Sequence, residues 1–103
     1  MTTISWLPIK YRDFYDVPRV FVAENGGCHY LFDCVFDSKA DDYSRDYAVY
    51  RLPTNTGGRI DEIRDWRSLY AEGARIGSVG VARVIFDKTK RQFVDAGVLK
   101  QFK

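Results

Sequence analysis

Two mainly apolar segments rich in β-branched and aromatic residues flank Gly26, and this pattern predicts a β-hairpin. The stretch from Pro18 to Phe36 consists of two strand-type segments joined by Asn25-Gly26-Gly27. Asn-Gly favours the positive backbone angles of a type I′ turn, whose twist matches that of the flanking strands. We therefore expect a pair of antiparallel strands here, and with it a sheet.

The two faces of this hairpin differ in polarity, because side chains alternate along a strand and cross-strand neighbours share a face. The first face is the predicted core, with Phe21, Ala23, Cys28, Tyr30, Phe32, Cys34 and Phe36. The second face mixes Val20, Val22, Leu31 and Val35 with Glu24, His29 and Asp33. It is too apolar for open water, so we expect a cover. Residues 66–72 or the aromatic N-terminal segment would supply it from within the chain, and another protein is the alternative.

The rest of the chain predicts three more strands and one short helix. Residues 6–16 read as an irregular segment, since Pro8 and Pro18 argue against a continuous helix, and its aromatic side chains would cap the core. Residues 37–46 form a polar connection to a strand over 47–52, while residues 59–64 fit either a strand or a helix. Asp65 would cap a helix from Trp66 to Glu72 that ends at Gly73. Strands over 79–87 and 92–98, joined by residues 88–91, complete the prediction.

These elements predict a single domain over residues 1–103 that is mainly β. We expect about five antiparallel strands with one short helix, arranged as a small barrel or a strongly curved sheet. An SH3-like architecture is one form that such a barrel could take. The length of 103 residues supports one domain and not two.

Composition and charge narrow the class of protein. The chain is 46% hydrophobic and 16% aromatic, which is typical of a globular domain and not of a disordered one. The N-terminal residues lack the pattern of a signal peptide, and no apolar run spans a bilayer, so we expect a cytoplasmic protein without membrane contact. Residues 1–50 carry a net charge of −3 and residues 51–103 a net charge of +5. Such an asymmetry can orient a partner or a second copy of the chain.

The two cysteines are expected to be reduced. Cys28 and Cys34 lie on one predicted strand, about 20 Å apart when extended. A disulfide needs Cα atoms within roughly 7 Å, so the hairpin and an intrachain bond exclude each other. The only histidine, His29, would point to the opposite face, so a zinc site is not expected.

Catalytic patterns are missing from the sequence. No motif of a serine hydrolase, a zinc protease or a P-loop occurs, and His29 lacks a recognisable reacting partner. The acidic residues of the 37–46 connection lack the alternation, central glycine and closing glutamate of an EF-hand. We therefore predict that the protein is not an enzyme and needs neither a cofactor nor a metal.

The sequence offers two candidate binding surfaces. Aspartates beside tyrosines in and after the polar connection suit contact with a basic protein; these residues are Asp41, Asp42, Tyr43, Asp46 and Tyr47. They predict a non-catalytic protein-binding module of the inhibitor, immunity or accessory-subunit type, and they leave open a homodimer. The alternative is a nucleic-acid-binding small β-barrel that uses Lys88, Lys90 and Arg91 in the basic C-terminal half.

Overall fold

Six antiparallel strands form the main sheet of the computed structural model: β1 (Trp6–Tyr15), β2 (Val17–Asn25), β3 (Cys28–Asp33), β6 (Asp46–Leu52), β7 (Ala74–Gly80) and β8 (Phe93–Asp95). Across the sheet, their order is β7-β6-β3-β2-β1-β8. Between β3 and β6, the short strands β4 (Phe36–Asp37) and β5 (Asp42–Tyr43) pair with each other. In the described part of the chain, 3₁₀ helices extend over Trp66–Ala71, Val81–Arg83 and Ala96–Phe102. The structure describes residues 6–15, 17–25, 27–53, 59–60, 62–64, 66–71, 73–87 and 92–102.

The predicted hairpin is confirmed as β2 and β3. Phe21 lies opposite Phe32, and their rings stack with centroids 4.5 Å apart. Asn25 pairs with Cys28, so it is the last residue of β2 and not part of the turn. The turn therefore lies one residue later than the Asn-Gly pattern predicts. Gly27 has a φ of 83°, a conformation that glycine adopts without the steric cost of a side chain.

The first face of the sheet is the larger core, as predicted. Phe21, Phe32 and Tyr47 are fully buried there, and the Tyr47 ring meets both phenylalanine rings edge-on. The C-terminal 3₁₀ helix covers this face with Val98 and Leu99. Phe36 is an exception to the prediction, because β3 ends at Asp33 and Phe36 belongs to the separate β4–β5 pair.

The second face of the sheet is covered by residues of the same chain, which is one of the two covers predicted, the other being a partner protein. Val22 and Leu31 are buried against Ile60, Trp66 and Leu69. The Trp66 indole N–H donates a hydrogen bond to the Ile60 carbonyl at 3.0 Å, which fixes the covering segment to the turn before it. The covering helix is a 3₁₀ helix that ends close to the predicted position, since the Gly73 N–H donates to the Leu69 carbonyl.

The prediction of a mainly β, antiparallel architecture is confirmed, but of the two forms that the sequence left open, the closed barrel is wrong. In the described part of the chain, β7 and β8 form opposite edges of the sheet and do not pair with each other, so the sheet is open. An SH3-like closed architecture is excluded for the same reason. The radius of gyration is 13.2 Å, close to the value of about 13 Å expected for one compact domain of this length.

Two further segments differ from the sequence prediction. Residues 6–15 form the strand β1 and not an irregular segment, with residues 9–15 paired to β2 and residues 6–8 paired to β8. Trp6 and Tyr11 are partly exposed there and do not cap the core. Of the strand predicted over 79–87, only Val79 and Gly80 are in a strand, at the end of β7, because a 3₁₀ helix follows Gly80. The strand predicted over 92–98 is reduced to β8, which Phe86 contacts through a single bridge to Val94.

Candidate functional site

The candidate site is a small projecting hairpin, which we call the acidic hairpin and define as residues 35–46. Phe36 pairs with Tyr43, and Asp37 pairs with Asp42. The Asp37 carboxylate accepts hydrogen bonds from the main-chain N–H of Lys39 at 2.9 Å and of Ala40 at 3.4 Å, an Asx-type arrangement that closes the tip.

The carboxylates of this hairpin are concentrated on its outside. Asp37 and Asp42 lie directly opposite each other across the two short strands, and both are exposed. Like charges in this position destabilise a strand pair. Asp41 and Asp46 are exposed as well. Lys39 and Arg45 are exposed on the same hairpin, so its net charge is −2, and a cationic partner would relieve the repulsion between Asp37 and Asp42.

Apolar surface lies at the base of the same hairpin. Val35 and Phe36 are each 48% exposed, and Phe36 meets the Tyr43 ring edge-on with centroids 5.2 Å apart. Aromatic residues are enriched at the centre of protein interfaces, and polar groups surround them at the rim. Exposed apolar side chains and carboxylates thus lie within one segment of 12 residues.

The base of the hairpin is fixed to the sheet by a chain of contacts. The Arg19 guanidinium lies 4.4 Å from the centroid of the Tyr43 ring and donates to the Cys34 thiol at 3.5 Å. The thiol in turn donates to the Ser44 carbonyl at 3.0 Å. Burial raises the pKa of Cys34, and its contact with Arg19 opposes that shift only in part. Cys34 is therefore a neutral structural thiol, and both cysteines are free.

The structure separates the five residues of the predicted partner site. Asp41, Asp42 and Asp46 are exposed on the acidic hairpin, and Tyr43 is half-buried against the core. Tyr47 is fully buried and its hydroxyl donates to the Pro18 carbonyl at 2.6 Å. Tyr47 is thus a core residue and does not lie on the surface, because β6 turns its side chain to the first face of the sheet.

The exposure of two residues of this surface was not predicted from the sequence. Simple alternation assigned Phe36 to the core and Val35 to the covered face, yet both are half-exposed. The sequence carries no clear signal for their exposure, because Cys34, Val35 and Phe36 continue the apolar segment up to the polar connection at residue 37, whereas β3 ends at Asp33. The residues of the alternative site, Lys88, Lys90 and Arg91, lie outside the described residues.

His29 and Glu24 meet at the opposite end of the β2–β3 hairpin. They pair directly, and the His29 Nε2 lies 3.7 Å from a Glu24 carboxylate oxygen, beyond hydrogen-bonding distance. Together with Pro8, Val22 and Ile60 they line a cleft of about 110 Å³. The cleft is small, Lys10 is its other charged group, and the described residues that line it include no serine, threonine or cysteine beside the imidazole.

The described residues contain no cluster of three or more histidine, cysteine, aspartate or glutamate side chains that could hold a metal ion. Among these same residues, no helix has the length and hydropathy that crossing a membrane requires. Comparisons of the chain with protein-family models, with curated proteins and with solved structures each found no match.

Proposed function

We propose that the protein is a non-catalytic protein-binding module whose contact surface is the acidic hairpin. The observation that supports this proposal is the half-exposure of Val35 and Phe36 beside four exposed aspartates on one short hairpin. When a partner covers exposed apolar groups, the removal of their surface from water contributes about 25 cal/mol of favourable free energy per Å². The partner that fits is a protein with an apolar pocket surrounded by lysine or arginine.

The attachment of the hairpin supports the same proposal. Binding costs less free energy when the contact surface is already ordered in the free protein. Arg19, Cys34 and Tyr43 hold the base of the hairpin in place, and the Asp37 carboxylate closes its tip. An ordered acidic hairpin of this kind is consistent with an inhibitor, an immunity protein or an accessory subunit, each of which acts by occupying a partner.

Affinity purification from the source organism tests the proposal. The tagged protein is compared with Phe36→Ser and with Asp42→Asn, and captured proteins are quantified by mass spectrometry. Phe36 is preferred to Tyr43 for this test, because Tyr43 packs on the core and its loss would also lower stability. Phe93→Ser is the matched control, since Phe93 is 40% exposed on a different strand.

We expect one captured protein to fall by about tenfold or more with Phe36→Ser, and several-fold with Asp42→Asn. Binding of that purified protein should weaken at higher salt, because the carboxylates contribute to association. Equal capture by folded Phe36→Ser and wild-type protein would contradict the proposal. Nucleic-acid binding through Lys88, Lys90 and Arg91 stays a prediction from the sequence.

A further inference from the structure

Among the described residues, the cover of the second face stops short of the end of the sheet. Trp66 and its neighbours lie over β2, β3 and β6, and their cluster contains no residue of β1 or of the adjoining β8. Trp6 is 42% exposed and Phe93 is 40% exposed there. Pro8 pairs with Phe93 and follows Trp6 by two residues, so alternation along β1 places all three on one face.

A shallow groove of about 420 Å³ runs along β1 between this open face and Trp66. Its lining includes Pro8, Tyr11 and Phe93 as apolar walls, with Lys10 and Arg12 as the charged groups. Tyr11 is 37% exposed. Among the described residues that line the groove there is no carboxylate, so the groove carries positive charge beside half-exposed aromatic rings.

Arg12 is held in a fixed position in this groove. Its guanidinium lies 4.5 Å from the centroid of the Trp66 ring, and it donates to the carbonyls of Arg64 at 3.0 Å and Ile60 at 3.3 Å. These contacts orient the guanidinium, and because both acceptors are neutral they do not cancel its charge. A preorganised guanidinium binds an anion at a lower entropic cost than a mobile one.

The groove and the acidic hairpin lie at opposite ends of the same strand. Arg19, at the start of β2, contacts the base of the acidic hairpin, whereas Ala23, near its end, pairs with Ile9 beside the groove. The two flanking carboxylates near the groove accept local hydrogen bonds, Asp87 from the Phe93 N–H and Asp95 from the Gly97 N–H. Both carboxylates keep their negative charge when they accept these bonds, so the positive charge at this end of the sheet is confined to the lining of the groove, with Lys10 and Arg12.

We propose that the groove along β1 binds single-stranded nucleic acid. Exposed aromatic rings beside lysine and arginine are the combination that holds unpaired bases by stacking and phosphates by charge. The bases of a duplex are stacked on each other and cannot reach such rings. This site differs from the basic segment at residues 88–91, and it is independent of the proposed function of the acidic hairpin.

Fluorescence anisotropy tests the proposal with labelled single-stranded DNA and RNA of about 12 nucleotides, a length within the range of known single-strand sites. A duplex of the same length and poly-glutamate serve as competitors. We expect binding to the single strands in the range of about 0.1 mM or tighter at low salt, and weaker binding as salt rises. Tyr11→Ser and Phe93→Ser should each weaken binding by about fivefold or more. Lys10→Ala should lower the salt dependence by about one ion.

Matched variants at the other end of the sheet act as controls. Phe36→Ser removes an aromatic ring of similar exposure, and Lys39→Ala removes an exposed lysine; neither should change binding. Phe93→Leu is used if Phe93→Ser does not fold, because it keeps apolar area but removes the ring that stacks. The proposal is overturned by a lack of binding to single strands, by equal binding to the duplex, or by displacement with poly-glutamate as effective as with the oligonucleotide. Retained affinity in the folded Tyr11 and Phe93 variants would also overturn it.

Discussion

Replacing Trp66 with alanine should destabilise the protein far more than the same change at Trp6. Trp66 is 3% exposed and its indole N–H donates to the Ile60 carbonyl, whereas Trp6 is 42% exposed. Truncating a buried tryptophan costs about 3–5 kcal/mol through lost burial and the remaining cavity. A surface position of this kind costs about 1 kcal/mol. A domain of this size has a total stability of about 5–15 kcal/mol, so Trp66→Ala should remove a large part of it.

Urea unfolding followed by far-ultraviolet circular dichroism measures both variants without relying on tryptophan fluorescence. If Trp66→Ala does not fold, Trp66→Phe provides the comparison with Trp6→Phe. It keeps most of the apolar area but loses the hydrogen bond to Ile60, at a cost of about 1–2 kcal/mol. Equal losses of unfolding free energy at the two tryptophans would refute the conclusion that Trp66 closes the second face of the sheet.

Three further predictions concern stability. Gly73→Ala should lower the melting temperature, with a cost of about 1–3 kcal/mol, because an added Cβ would lie 3.1 Å from the Arg51 carbonyl oxygen; an unchanged melting temperature would contradict this close approach. Asp41 has a φ of 53°, so Asp41→Gly should be about 1 kcal/mol more stable than Asp41→Ala in thermal unfolding, and equal stability would argue against the left-handed conformation. Burial raises the pKa values of Cys34 and Tyr47 above their ordinary values of 9.0 and 10.0. The folded state therefore keeps these protons to higher pH than the unfolded state, so the free energy of unfolding should fall as the pH rises above 9.0 for Cys34 and above 10.0 for Tyr47. Tyr47→Phe should reduce that fall, and an equal fall in the variant would exclude Tyr47 as a source.

The sequence predicted the centre of the fold because the hairpin is a local structure, in which successive side chains along each strand point to opposite faces. Phe21 and Phe32 belong to one face and Val22 and Leu31 to the other, and period-two alternation is sufficient to assign them. The cover by Trp66 was also predictable, since a mixed face in a small domain needs one. The turn was displaced by one residue because two glycines follow Asn25, and both positions tolerate a positive φ.

The edges of the sheet were harder to predict. β1 does alternate, with Leu7 and Ile9 on one face and Pro8 and Lys10 on the other, but Pro8 and the nearby Pro18 obscured that signal. Pro8 is tolerated in a strand because residues 6–8 pair with β8, whereas the pairing with β2 begins at Ile9. Barrel closure depends on whether the two edge strands meet, which no local pattern encodes. The exposure of Phe36 depends in the same way on where β3 ends.

Hydroxyl-radical footprinting most directly tests the division of the surface into a covered face and two exposed ends. The rate of side-chain oxidation reports solvent access at individual aromatic residues. We expect fast oxidation of Phe36 on the acidic hairpin and of Trp6 and Phe93 beside the groove, with Phe21 and Trp66 protected. Protection of Phe36 in the free protein, or oxidation of Trp66 as fast as that of Trp6, would contradict the placement of both binding surfaces.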